Sequence, residues 1–247
     1  MKRIAIIGLG QIGGSIVLAL HKNKKRYSIT GIDPSVKRRR LLRSALDLAG
    51  PHWELAKEAD LTILCVHYDV IAEYLGQTER GPLLFDVCSG KEKLVQIANR
   101  KKLRFIGGHP MAGSEFRGEK GWDPNLFERA PFFLCPGKYS SREDRKIARS
   151  IVKDLGGRPI IVDPAQQDRF VSITSHFPVI LARLLQQMAE QIPGDFKGPG
   201  FRSMTRLAKT SPELLQTFLQ SNRKNVLDAA KQMRDLLHKW MESETHR

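Results

Sequence analysis

Residues Arg3–Ser15 read RIAIIGLGQIGGS, a β-branched run that stops at Gly8 and turns at once into the amphipathic pattern GGSIVLALHKN. Gly8, Gly10 and Gly13 have the G-x-G-x-x-G spacing. The first glycine permits the tight turn, and the second lets the backbone approach a pyrophosphate. The third lets helix and strand pack closely, with the helix N-terminus facing the anion. Gly8, Gly10, Gln11, Ile12 and Gly13 are therefore candidate cofactor-binding residues. The next β-rich run, SITGID, ends at Asp33, where a carboxylate accepts hydrogen bonds from a ribose 2′-OH and repels a 2′-phosphate. That favours NAD. Arg38, Arg39 and Arg40 follow closely and leave NADP open, and a glycine turn without a ligand is the bland alternative.

Outward from this loop, short β-rich runs alternate with helical patterns, as expected of a parallel sheet covered by helices. The strand candidates are RIAII, SITGID, LTILCV, PLLFDV, RFIGG, FFLC and RPIIV. Between them lie SVKRRRLLRSAL and KEKLVQIANRKK, and a helix with capping-box spacing opens at Ser141 and stops at Gly156–Gly157. After Asp163–Pro164 no convincing strand remains. One long helix is expected in QQDRFVSITSHFPVILARLLQQMAEQI, a short one around SMTRLAK, and a long one opening at Ser211–Pro212. The fold class is α/β: a Rossmann-type, doubly wound, mostly parallel sheet over residues 1–163, followed by a small all-helical domain over 164–247.

The 247 residues suffice for a real core, and the apolar and charged fractions are those of a soluble globular chain. No signal peptide and no bilayer-long apolar stretch is legible, so no membrane association is expected. Cys65, Cys88 and Cys135 make no CxxC pair, which argues for a reducing cytoplasm and against a disulfide framework or a metal site. The net charge of +15 favours anionic partners. Its basic residues are scattered and lack interleaved aromatics, so a solvated basic surface is the plainer reading than a nucleic-acid site, and an anionic cofactor and substrate would profit from the same field.

Two loops sit where a doubly wound fold binds its ligands, at the carboxyl ends of strands. DVCSGK (Asp86–Lys91) presents Ser89, and GGHPMAGSE (Gly107–Glu115) presents His109. Proline at 110 keeps His109 extended. A neutral imidazole there can take a hydroxyl proton while hydride leaves the same carbon; a surface histidine is the alternative. In the helical part, His176 lies two residues before Pro178, which is expected to kink its helix, and a satisfied core histidine is the competing reading. Arg202 and Arg206 lie on adjacent turns if GFRSMTRLAK is helical, and Arg206 can pair bidentately with a carboxylate; taken singly, a solvated arginine is the plainer reading of either.

Taken together, GLGQIGGS, DVCSGK, GGHPMAG, APFFLCP, SHFP and GFRSMTR resemble the prephenate/arogenate dehydrogenase family of tyrosine biosynthesis, nearly end to end. The resemblance implies oxidation of a cyclohexadienol by NAD with loss of the ring carboxylate as CO2. It implies that His109 deprotonates the hydroxyl and that Ser89 hydrogen-bonds both that hydroxyl and His109. It further implies that Arg206 holds a substrate carboxylate, that Ser114 and Glu115 line the pocket, and that His176 supports it. The helical domain would then be a homodimer interface. Many members read SHxPH, but this chain has Val179 at the second histidine, a residue also found in arogenate-type relatives, so the side-chain preference stays open. Ser203 replaces a common acidic residue, and no tryptophan follows Pro212. No ACT or chorismate mutase segment is legible, so any tyrosine inhibition is expected to act at the active site. Competing readings are a β-hydroxyacid dehydrogenase or imine reductase, which the lack of a lysine in FVSITSHFPVILARLL disfavours, and a basic NAD-sensing or nucleic-acid-binding protein.

Overall fold

The computed structural model describes residues 2–23, 25–79, 81–113 and 116–245 and divides into two compact units, Met1–Gln167 and Asp168–Arg247. The first unit runs β1 (Lys2–Ile7), α1 (Gln11–His21), β2 (Tyr27–Ile32), α2 (Val36–Leu41), β3 (Leu48–Gly50), β4 (Leu61–Leu64) and α3 (Tyr68–Gln77). It continues with β5 (Leu83–Asp86), α4 (Glu92–Arg100), β6 (Phe105–Pro110), β7 (Pro131–Pro136), α5 (Arg142–Asp154) and β8 (Arg158–Ile161). The strands form one eight-stranded sheet in the order β3-β2-β1-β4-β5-β6-β7-β8. All neighbours are parallel except β6 and β7.

Period-two alternation builds the two faces. Ile4, Ile6, Ile29, Ile63, Phe85 and Phe132 pack with Ile16 and Leu20 of α1 on one side. Ala5, Ile7, Leu64, Leu84 and Phe105 pack with Leu75 and Leu94 on the other. Strand order reverses between β1 and β4, which opens a crevice at the carboxyl ends of the central strands. The expected capping box is present: Ser141 Oγ accepts from Asp144 N–H, and the Asp144 carboxylate accepts from Ser141 N–H. Arg104 pairs with the same carboxylate, so α5 is tied to the residue before β6. The three-residue β3 had no signature in the sequence, and α2 is shorter than the expected SVKRRRLLRSAL helix, giving way to a 3-10 turn at Arg43–Ala45.

The helical unit departs from its expectations in two places. The segment expected as one long helix is instead α6 (Pro164–Val171), a π turn over Ser172–His176, and α7 (Phe177–Met188). The widened turn ends just before Pro178, which stands in the first turn of α7 and has no N–H to continue the helical ladder. The second departure is at GFRSMTRLAK. Helix α8 (Pro199–Met204) ends before Thr205, and Arg206–Lys209 is a separate 3-10 turn, so Arg202 and Arg206 do not share a helix. Helix α9 (Pro212–Thr245) opens under its Ser211 cap, and Asn222 interrupts it with φ −138° and ψ 28°. Val171, Phe177, Val179, Ala182, Phe218, Val226 and Ala229 form the interior of this unit. Among the described residues no helix is long and apolar enough to cross a membrane.

Candidate active site

The β1–α1 turn has the geometry that the glycine spacing calls for. Gly8 adopts φ +92°, and a Cβ there would run into the Cys65 carbonyl. A Cβ on Gly13 would run into the Gly8 carbonyl, so helix and turn touch backbone to backbone. Gly10 has nothing within 4 Å of where its Cβ would stand, which leaves an open face for a ligand. No side chain caps the N-terminus of α1 and no acidic residue lies in its first turn, so its N–H groups and positive dipole end suit an anion. Gln11 and Ile12 occupy that first turn. Asp33, buried just past β2, accepts from Leu9 N–H at 2.7 Å and from Ser35 N–H at 2.8 Å. The loop, the helix end and the fixed carboxylate together fit a dinucleotide.

Gly14, unassigned by the motif, also has a reason to be glycine: a Cβ there would occupy the Trp122 indole. Trp122 Nε1 donates to Gly10 O at 2.9 Å, and Asp123 N–H donates to Ser15 Oγ at 3.0 Å. The segment between β6 and β7 therefore clamps the outer side of the glycine turn.

The second cluster lies at the ends of β5 and β6. His109 falls within β6, one residue before its end, where the sequence placed it in the following loop. It is 7% exposed and pairs with Phe133 across the antiparallel β6–β7 ladder. The residue before it, Gly108, is held by Lys91, fully buried, whose ammonium donates to the Asp86 carboxylate and, at 2.8 Å, to Gly108 O. Asp86 in turn accepts from Cys88 N–H at 2.8 Å and Gly108 N–H at 3.1 Å. Burial pushes the Asp86 carboxyl up, while the Lys91 ammonium and these two N–H groups oppose that shift. A Cβ on Gly107 would press on the Lys91 side chain, and one on Gly108 would meet the Asp86 carbonyl and the Phe85 ring. The glycine pair in GGHP thus makes room for a buried ion pair that fixes the backbone leading into His109.

Ser89 stands on the braced loop. Its Oγ is buried and makes no hydrogen bond among the described residues, while its carbonyl accepts from Gln167 Nε2 at 3.2 Å. The Ser89–His109 hydrogen bond implied by the resemblance is therefore not formed here. Ser114 and Glu115 lie outside the described residues.

The remaining candidates belong to the helical unit. His176 is fully buried in the π turn, stacked on Phe218 with ring centroids 4.3 Å apart. Its Nδ1 lies 3.3 Å from Asn222 Nδ2, which also donates to Asp168 O at 2.6 Å. The kink in α9 and the π turn therefore share one polar node, which makes His176 a structural residue whatever else it does. Burial lowers its pKa to about 4. Val179 is buried. Arg206 is exposed and forms no ion pair among the described residues, whereas Arg202 Nε donates to Lys197 O at 2.9 Å.

Residues 16–161 match the family model "Prephenate dehydrogenase, nucleotide-binding domain", and residues 163–244 match "Prephenate dehydrogenase, dimerization domain". A prephenate dehydrogenase of Lactococcus lactis subsp. cremoris is 34% identical over 242 residues, covering 90% of this chain and 65% of the relative. The chain thus spans about 65% of the length of this relative and of a prephenate dehydrogenase of Bacillus subtilis. The crystal structure of Synechocystis arogenate dehydrogenase is 27% identical with a TM-score of 0.82, covering 99% of this chain and 92% of that one. Prephenate dehydrogenase from A. aeolicus, solved with hydroxyphenyl propionate and NAD+, shares the fold at 24% identity and a TM-score of 0.90, covering 100% and 91%.

Lys91→Met leaves Asp86 buried without its cation and should lower folding stability by about 3–5 kcal/mol, read as a reduced urea midpoint; an unchanged midpoint contradicts the brace. The His176 imidazole gains a proton near pH 6.5 when unfolded but only near pH 4 when folded. The unfolded chain therefore binds the extra proton between these values, and stability present above pH 6.5 should be lost as pH falls towards 4. The loss should be on the order of 3 kcal/mol, and His176→Gln should flatten the dependence of the urea midpoint on pH over that window.

Proposed function

The chain belongs to the prephenate dehydrogenase family, and from that membership we propose that it catalyses the NAD-dependent oxidative decarboxylation of prephenate to 4-hydroxyphenylpyruvate, a step of tyrosine biosynthesis. The observation that carries this reading is His109, an imidazole 7% exposed at the carboxyl end of a strand and directly after Gly108, whose backbone groups are bonded by Lys91 and Asp86. Catalysis of proton removal needs a base held still in a partly desolvated place, and this arrangement supplies one.

The β1–α1 turn holds the pyrophosphate, and Asp33 holds the adenosine ribose. When bound, the nicotinamide supplies the acceptor for the hydride on the hydroxyl-bearing carbon. His109 takes the hydroxyl proton as that carbon is oxidised, and Ser89 Oγ, with its hydrogen-bonding capacity uncommitted, orients the same hydroxyl. The bond to the ring carboxylate then breaks, CO2 departs, and its electrons aromatise the ring. His109 returns the proton to the phenolate oxygen. Arg206, an exposed guanidinium with no ion pair among the described residues, takes a substrate carboxylate. His176 maintains the helical unit that carries Arg206.

Arogenate is the second substrate to weigh, because Val179 offers no hydrogen-bonding group where many relatives carry a histidine. A homodimer through the helical unit accords with the description of its family model and with the exposure of Met188, Phe196, Leu236, Leu237 and Trp240. The +15 charge draws the anionic dinucleotide and substrate rather than nucleic acid, and three cysteines without a disulfide suit the cytoplasm.

Turnover of prephenate and of arogenate, each with NAD+ and NADP+, tests the reading, and no turnover with any pair contradicts it. His109→Asn should lower kcat by about 100-fold or more while leaving NAD+ affinity nearly unchanged; unaltered turnover removes His109 from the chemistry. Arg206→Ala should act mainly on KM, raising it about tenfold or more because a ground-state carboxylate contact is lost. An unchanged KM removes Arg206 from the site.

A further inference from the structure

Three consecutive arginines after Asp33 make the sequence ambiguous between a ribose 2′-OH and a 2′-phosphate, and the structure adds a residue that the sequence gave no reason to consider. Arg38 Nη1 lies 3.4 Å from Asp33 Oδ2, and Arg38 Nε lies 3.5 Å from Glu119 Oε2. Lys37 Nζ lies 2.6 Å from Glu119 Oε1. Glu119 comes from the 3-10 turn Gly118–Gly121 in the segment between β6 and β7, far along the chain but three residues before the Trp122 that is bonded to Gly10. Gly118, at φ +56°, lets this turn lie against Arg38: a Cβ there would stand 3.2 Å from its Nη2.

Asp33 and Glu119 therefore pair with Lys37 and Arg38, two cations at the start of α2. The Lys37 ammonium holds the Glu119 carboxyl down at about 2, so Glu119 is ionised throughout the physiological range. The Lys37 side chain is 71% exposed and the Arg38 side chain 34%, and ion pairs this exposed contribute little to stability. Their arrangement has a clearer consequence for binding. An incoming 2′-phosphate meets Asp33 directly, and Lys37 and Arg38, two cations that could compensate it, are already paired with Glu119.

We propose that Glu119 is a specificity-determining residue, which selects against a 2′-phosphorylated dinucleotide by withholding Lys37 and Arg38 from it. The proposal rests on the reading that the first unit binds a dinucleotide. It makes discrimination the work of two carboxylates, Asp33 from β2 and Glu119 from the clamping segment, by like-charge repulsion as well as by contact.

The test is calorimetric binding of NAD+ and NADP+ to the full chain, which needs no turnover. The wild type should prefer NAD+. Glu119→Gln should tighten NADP+ relative to NAD+ by about five- to tenfold, since one nearby negative charge is gone at a partly exposed site. Adding Lys37→Ala and Arg38→Ala to Glu119→Gln should abolish that gain. An unchanged ratio in Glu119→Gln, a gain that survives loss of both cations, or a wild-type preference for NADP+ each overturns the proposal while leaving the dinucleotide reading intact. Wild-type protein that binds neither nucleotide overturns both.

Discussion

Everything proposed for His109 depends on one buried ion pair. Lys91 and Asp86 are each fully buried, and between them they bond the backbone at Cys88 and at both polar groups of Gly108. Desolvating two charges costs several kcal/mol each, and only good geometry with further hydrogen bonds offsets that. An apolar pair of similar volume would serve stability as well or better. What an apolar pair lacks is direction: the ammonium fixes the Gly108 carbonyl, and the carboxylate fixes the Gly108 N–H, from behind the strand. The residue that follows is His109. Strand β6 is thus held in place by charge where its glycines give it no side chains to pack.

The nucleotide side of the first unit is organised by close backbone contact instead. Gly8, Gly13 and Gly14 each lack a Cβ because a carbonyl or an indole occupies its place, while Gly10 alone faces open space. The segment between β6 and β7 supplies both the indole that closes the outer side of this turn and Glu119, which pairs with the cations after Asp33. His109 stands at one end of that segment. The chain therefore connects the proposed base, the clamp on the phosphate-binding turn and the charge balance at the ribose through a single stretch of covalent structure.

Much of this was legible in the sequence because it is local. The glycine spacing, the acidic residue closing the second strand, the capping box at Ser141 and the proline after His109 each act over a few residues, and each element formed where its signal stood. The long-range features were not legible in the same way. Lys91 lies inside DVCSGK, yet its burial is decided by Gly107 and Gly108 from another strand, and a lysine after a strand ordinarily reads as solvated. A signal did exist: two adjacent glycines in an otherwise apolar strand call for something large packed against them. Asn222 is similar. It lies on the stripe Phe218, Asn222, Val226 and Ala229, where a polar residue in an apolar series marks a buried hydrogen bond, here to the π turn. The π turn itself had only Pro178 to announce it, and proline specifies a disruption without specifying which one. Arg206 was expected in a helix with Arg202, but the break at Thr205 has no composition signal.

The account stands or falls on whether carbon–carbon cleavage accompanies oxidation. The direct measurement is the release of labelled CO2 from prephenate carrying the label in its ring carboxylate, followed alongside NADH formation by the purified full chain. One CO2 for each NADH, with 4-hydroxyphenylpyruvate as the product, is the predicted result. NADH formed without CO2, or no NADH from prephenate at all, would contradict it.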